Sequence, residues 1–148
     1  MNTAATILRI LYGLLWFWAG AAKFMDPTAF SLAIRNFRLV EDPWVAALAL
    51  FLPPLEMVAA LAVIFHRGAR GGLAILWIAL FVFTLAIGIS WARGLDIECG
   101  CFGLSGSTIN YPIKLAQNLA LLAVGGWLFF RTARPPKMEV GRWGKIKS

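Results

Sequence analysis

The chain has 148 residues, of which 60% are hydrophobic and only 14% charged, and its mean hydropathy is +0.75. A soluble domain of this length is usually about 45–50% apolar and about 25% charged, so the composition excludes an ordinary soluble domain. The net charge of +7 arises from basic residues in short loops and in the tail, beside apolar blocks. This placement is typical of membrane topology and argues against a nucleic-acid-binding protein.

Four long apolar blocks predict four transmembrane helices. Each block has roughly 18–22 residues, which at a rise of about 1.5 Å per residue crosses a hydrocarbon core of about 30 Å. Lipid offers the backbone no hydrogen-bond partner, so each span must be helical. The sequence therefore predicts an all-α membrane protein, a four-helix bundle forming one membrane domain over residues 1–148, with spans at about 5–24, 44–65, 72–92 and 113–130 and a basic tail over 131–148.

The segment between the first two spans reads MDPTAFSLAIRNFRLVEDP and interleaves apolar side chains with arginine and asparagine. This pattern is typical of a short helix lying on the membrane surface. The alternative is a polar loop that tucks some apolar side chains against the bundle. We expect the interfacial helix.

Ionisable and amide side chains inside the spans are candidates for function, because such groups are costly in lipid. Glu56 lies about halfway along the second span. Counting depth along each helix, we expect Arg9 to be its partner and Lys23, near the outer face, to fit less well. Gln117 and Asn118 are predicted to face inward and form interhelical hydrogen bonds. Glu56 could equally serve only to hold helices together.

The distribution of basic residues predicts the orientation in the membrane. Nine of the 14 Lys and Arg residues lie in the N-terminus, the loop after the second span and the tail, and five lie on the other side. The side richer in Lys and Arg faces the cytoplasm. We therefore expect a multi-pass protein of the bacterial inner membrane with both termini inside, and the loop over 93–112 in the periplasm.

The two cysteines of the chain, Cys99 and Cys101, lie in this outer loop with only Gly100 between them. A disulfide closing so small a ring is strained, and strained bridges are the more readily reduced. Such a bridge also removes little entropy from the unfolded chain, so stability is a poor reason for it. The spacing therefore favours a redox pair on an oxidising face of the membrane. Lys23, Arg93 and Phe102 are predicted to support this outer face.

Three other interpretations of the cysteine pair stay open: a structural bridge, a metal site and two inert buried thiols. Thiolates bind zinc and copper, but a metal needs further ligands. The chain has a single histidine, His66, which the predicted topology places on the opposite face. We therefore expect no metal at this site.

Several short motifs are spread along the chain, each occurring once. They are Arg9-x3-Gly13, Ala19-Gly20-x2-Lys23, Asp26-Pro27, Pro54-Leu55-Glu56, Cys99-Gly100-Cys101-Phe102-Gly103 and Asn118 in the last span. Together they resemble the DoxX-like superfamily, and specifically the methylamine-utilisation protein MauE family, of which the cysteine box is the specific element. The resemblance implies a role in maturing a periplasmic redox enzyme such as methylamine dehydrogenase, whose small subunit is rich in disulfides, with a thioredoxin-like partner.

Two functions from different classes follow. In the first, a membrane thiol–disulfide oxidoreductase, the cysteine pair exchanges with a periplasmic thioredoxin-like or client protein, and a quinone is one candidate for the electron carrier in the membrane. In the second, a non-enzymatic assembly factor or subunit of a redox complex, the pair is structural. The tight spacing favours the first, whereas the lack of a second cysteine pair to relay electrons favours the second. A carrier organised around Glu56 is a third, weaker hypothesis.

Overall fold

The computed structural model describes residues 3–95 and 110–133, and every regular element in these ranges is a helix. In chain order the five helices are α1 (Thr3–Met25), α2 (Pro27–Asn36), α3 (Trp44–Ile64), α4 (Ala69–Ala92) and α5 (Tyr111–Ala133). All but α2 are long and apolar enough to cross a membrane. The predicted all-α architecture, with four membrane-spanning helices and a short helix between the first two, is confirmed, and the chain is a multi-pass membrane protein.

The short helix α2 begins where the sequence provides a cap. The carboxylate of Asp26 accepts a hydrogen bond of 2.9 Å from the backbone N–H of Ala29, and Pro27 occupies the first helical position, which needs no backbone donor. Phe30 and Ala33 are buried on the inner side of this helix. The plain-loop alternative is therefore wrong, whereas the position of α2 at the membrane surface stays a prediction.

The long helices pack in the order α1–α3–α4–α5, with α2 lying mainly against α3. Glycines allow close approach along α1, since a Cβ atom at Gly13 would lie 3.2 Å from the carbonyl oxygen of Ala60. A Cβ atom at Gly20 would lie 3.2 Å from the carbonyl oxygen of Pro53. These contacts set the register of α1 against the antiparallel α3.

Two apolar clusters form the core of the bundle. The larger one joins α1, α3, α4 and α5 around Tyr12, Val63, Leu73, Leu76 and Leu128. The smaller one lies towards α2 and is centred on Phe37 and Ile87, with Phe83 packed edge-on against Phe37 at 5.7 Å. Residues of both clusters, among them Leu80 and Phe83, line a cavity that also has polar side chains in its wall.

Candidate functional site

An ion pair lies inside the bundle between α1 and α3. The Nζ atom of Lys23 donates to both carboxylate oxygens of Glu56, at 3.0 Å to Oε1 and 2.8 Å to Oε2. The side chains are only 11% and 3% exposed, respectively. Lys23 Nζ also lies 5.4 Å from the centre of the Phe30 ring on α2. Each charge therefore satisfies the other where solvation by water is poor.

The expectation that Arg9 would be the partner of Glu56 is wrong, because counting depth ignored the register and the lean of the side chains. The contacts of Gly13 and Gly20 place Arg9 on the order of 15 Å along the axis from Glu56, and Lys23 only about 6 Å from it. Helical side chains lean towards the N-terminus of their own helix. Since α1 and α3 are antiparallel, Lys23 and Glu56 lean towards each other, whereas Arg9 leans away.

Arg9 is nevertheless buried, at 5% exposure, near the start of α1. Its Nε and Nη1 atoms have no hydrogen-bond partner within residues 3–95 and 110–133. Arg9 is thus a second buried charged group, separate from the ion pair and at the other end of the same helix.

A cavity of about 70 Å³ adjoins the ion pair. Lys23 and Glu56 form part of its wall, Trp16 lines it from α1, and Asn118 lines it from α5. Asn118 is 7% exposed, and its Nδ2 atom has no hydrogen-bond partner among the described residues. The cavity therefore combines a buried ion pair with an amide donor that is available to a ligand.

The two amides predicted to face inward have different positions on α5. Asn118 is buried as expected, but Gln117 is exposed on the surface of the helix, so the inward-facing prediction for Gln117 is wrong. Neighbouring helical residues point about 100° apart, since the helix has 3.6 residues per turn, so only one of the two could face the cavity. The cavity side of α5 is set by its packing against α4, where Trp77 Nε1 donates to the Leu122 carbonyl at 3.0 Å.

The ends of the predicted outer loop are held together at one end of the bundle. The rings of Trp91 and Tyr111 are stacked with centres 6.1 Å apart, and the Tyr111 hydroxyl donates to the carbonyl of Leu95. Arg93 Nη1 donates to the carbonyl of Arg38 at 3.3 Å, which links α4 to the segment after α2. Cys99, Cys101 and Phe102 lie outside the described residues. Of the residues predicted to support the outer face, Arg93 contacts this end of the bundle, whereas Lys23 turns inward to Glu56.

Comparison with known proteins identifies the family. The family model of methylamine utilisation protein MauE matches residues 1–131. The chain belongs to the MauE family. The MauE protein of Paracoccus denitrificans is 33% identical over 121 residues, which cover 79% of this chain and 63% of that protein. MauE of Paracoccus versutus is 32% identical over 133 residues, covering 86% and 70%, and MauE of Methylorubrum extorquens is 33% identical over 127 residues, covering 83% and 68%. No solved structure matches the chain.

The alignment with the Paracoccus denitrificans protein thus spans less than two thirds of that relative. The family match of this chain nevertheless includes the ion pair, the cavity residues and the cysteine pair, since all of them lie within residues 1–131.

Several cavity residues of this MauE-family chain were not predicted from its sequence. Trp16 was not among the predicted site residues, although it lies seven residues before Lys23 and so on the same face of α1, two turns away. Phe30 and Phe83 also line the cavity, from α2 and α4. In so apolar a sequence, an apolar residue that lines a cavity cannot be distinguished from one that faces lipid, so only the packing of the helices identifies it.

Proposed function

We propose that this MauE-family protein carries out thiol–disulfide exchange at the outer face of the bacterial inner membrane, in support of a periplasmic redox enzyme of the methylamine dehydrogenase kind. Its relatives are named for methylamine utilisation, which supports a role in that metabolism. The observation that carries it is the spacing of Cys99 and Cys101, which are separated by a single glycine in the segment between two membrane helices. Such a pair is suited to exchange rather than to stabilisation.

The atoms and electrons of one exchange balance between the cysteine pair and its partner, without a further reactant. A thiolate of the partner attacks the Cys99–Cys101 bridge and forms a mixed disulfide, and the second partner thiol then resolves it. The partner gains a disulfide and the cysteine pair gains two thiols. A thioredoxin-like protein or a disulfide-rich client in the periplasm fits this chemistry. The anchored loop ends at Leu95 and Tyr111 support the proposal, because they keep both ends of the cysteine segment at one end of the bundle.

The redox potential of the pair tests the exchange reaction. We expect Cys99 and Cys101 in native membranes to change reversibly between dithiol and disulfide at a midpoint above about −300 mV, because exchangeable bridges lie above the range of structural ones. Alkylation across a dithiothreitol series measures this midpoint. The Cys101→Ser and Cys99→Ser variants serve as matched controls. The variant that retains the cysteine attacked by the partner is expected to accumulate a dithiothreitol-sensitive mixed disulfide with the oxidised partner, formed by the reverse of the exchange.

A pair that resists reduction well below that potential would contradict the proposal. It would favour the alternative function, a non-enzymatic assembly factor in which the pair only holds the outer loop. The same conclusion would follow if neither serine variant formed a mixed disulfide with a partner.

The orientation is tested separately. We expect a membrane-impermeant maleimide to label the reduced cysteine pair in intact spheroplasts, because the bias of Lys and Arg places the loop over 93–112 outside. The control is Arg67→Cys in a Cys99→Ser/Cys101→Ser background, since Arg67 is exposed in the loop between α3 and α4, at the opposite end of the bundle. This cysteine should react only after the membrane is permeabilised. The reverse labelling pattern would show the opposite orientation in the membrane. The cysteine pair would then lie in the cytoplasm, without the oxidising environment that the exchange requires.

A further inference from the structure

A large apolar groove runs between α2, α3 and α4, with a volume of about 660 Å³. It begins one turn beyond the close contact of Gly72 with Ala59, where Leu55 and Ile75 line it, and extends towards α2. All of its lining side chains within the described residues are apolar. Ile78 and Val82 on its rim are 58% and 59% exposed, so the groove opens on the surface that faces lipid.

The groove adjoins the polar cavity. Phe30, Leu52, Ala79 and Phe83 line both spaces. These four shared side chains bring the groove next to Lys23, Glu56 and Asn118, so a ligand that parts them reaches both spaces. The volume of the groove lies within the range of about 300–1,000 Å³ that is usual for small-molecule sites.

The polar end determines which group the ligand must carry. The Nδ2 group of Asn118 is buried without a partner in the described part of the chain, and an unsatisfied buried donor is costly. A ligand that fits must bring a hydrogen-bond acceptor to this point and an apolar chain to the groove. A net charge on the ligand is not required, because Lys23 and Glu56 already neutralise each other.

We infer that the cavity and groove form a binding site for a membrane quinone. A carbonyl oxygen of the quinone accepts a hydrogen bond from Asn118 Nδ2, and the isoprenoid tail lies in the groove along α3 and α4. An ordinary phospholipid fits less well, because its acyl chain brings no acceptor to Asn118. A helix from a second copy fits less well, because a helix about 10 Å wide cannot enter the cavity of about 70 Å³ in which Asn118 lies.

One consequence rests on the proposed function. Asn118 lies seven residues, or about 10 Å, along α5 from Tyr111, where the cysteine loop joins the helix. Oxidation of the Cys99 and Cys101 thiols to one disulfide would release two electrons and two protons, which reduce the quinone to quinol. The re-formed bridge would then oxidise two thiols of the partner. A quinone thus supplies the acceptor that a single cysteine pair otherwise lacks.

Binding is tested with the full-length protein in phosphatidylcholine nanodiscs and decylubiquinone as the probe. Equilibrium binding is measured as the amount of quinone that stays with the protein-containing discs after these have been separated from empty discs. We expect Asn118→Leu to weaken binding about tenfold, as for the loss of one buried hydrogen bond. The matched control is Gln117→Leu, which changes the neighbouring exposed amide and should bind as the wild type does. Ala86→Phe, which fills the groove, should also weaken binding at least tenfold, whereas Ala116→Phe on the exposed surface of α5 should not.

Decylbenzene, which has the same tail and no carbonyl, separates a quinone site from an apolar groove. We expect it to compete at least tenfold less well than decylubiquinone. Equal competition would assign the groove to acyl chains, and a dimeric wild type that takes up no quinone would assign it to a second copy; both outcomes overturn the inference. A fold-competent Asn118→Leu protein with unchanged affinity would do the same, and size-exclusion profiles establish that competence.

The Cys99→Ser/Cys101→Ser variant keeps the two proposals apart. Quinone binding should persist in it, because no cysteine is needed to hold the ligand. Wild-type binding without any thiol exchange would refute the proposed function and leave the site standing. Thiol exchange without quinone binding would refute the site and leave the proposed function standing.

Discussion

Replacing Lys23 by methionine is expected to destabilise the bundle by about 3–5 kcal/mol, the usual cost of removing one partner from a buried ion pair. The cause is the carboxylate of Glu56, which is 3% exposed and would lose both of its hydrogen bonds to Lys23 Nζ. The free energy of unfolding is measured by titration with sodium dodecyl sulfate in mixed micelles, followed by helical circular dichroism. Methionine keeps most of the apolar length of lysine, so the change isolates the charge.

Two further variants show whether burial is the reason. The double variant Lys23→Met/Glu56→Leu should recover most of the loss, because an apolar pair of similar volume often replaces a buried ion pair without cost. Arg35→Met breaks a second ion pair among the described residues, between Arg35 and Asp42, whose side chains are 52% and 57% exposed. Its effect should be below about 1 kcal/mol. Equal losses from Lys23→Met and Arg35→Met would contradict the importance of burial.

Alanine at two adjacent glycines of α4 is expected to have opposite effects on stability. A Cβ atom at Gly72 would lie 2.5 Å from the backbone carbonyl oxygen of Ala59. Backbone cannot swing aside as a flexible side chain can, so α3 and α4 must separate, and overpacking of this kind typically costs about 1–3 kcal/mol. At Gly71 a Cβ atom would meet nothing within 4 Å. Gly71→Ala should therefore stabilise the helix by up to about 1 kcal/mol through propensity alone.

The same detergent titration measures both alanine variants. Both residues lie near the start of α4, so replacing glycine by alanine changes the entropy of the unfolded chain equally in the two variants. The sign of the change in stability therefore reports the α3–α4 contact. If Gly71→Ala and Gly72→Ala shift stability in the same direction, the close approach at Ala59 does not hold. The groove begins one turn beyond this contact, so Gly72→Ala should also alter the affinity for decylubiquinone.

The cavity beside the ion pair favours the oxidoreductase over the assembly factor. A bare scaffold needs neither a cavity next to an ion pair nor an amide donor without a partner among the described residues, and both occur in this bundle. Lys23 and Glu56 accommodate each other's charge inside the membrane, since they pair with each other. The ion pair accounts for the burial of both charges, and the proposed ligand-binding role rests on Asn118 and the adjoining groove.

The sequence by itself determined the number and nature of the spanning helices. Apolar runs of this length can only be helices in lipid, so block length alone predicted α1, α3, α4 and α5 to within a few residues at most ends. Asp26-Pro27 likewise marks the start of α2 by local hydrogen bonding. The resemblance to the MauE family rested on short motifs that are visible in the chain and was confirmed by the family match.

Only the tertiary structure decided which polar groups meet. The register of α1 against α3 depends on glycine contacts, and the lean of each side chain depends on helix direction, so depth along isolated helices led to Arg9 instead of Lys23 as the partner of Glu56. The rotation of α5 about its axis, which buries Asn118 and exposes Gln117, is set by packing against α4. The groove could not be predicted either, because an apolar side chain that lines a cavity and one that faces lipid have the same composition, and they differ only in what packs around them.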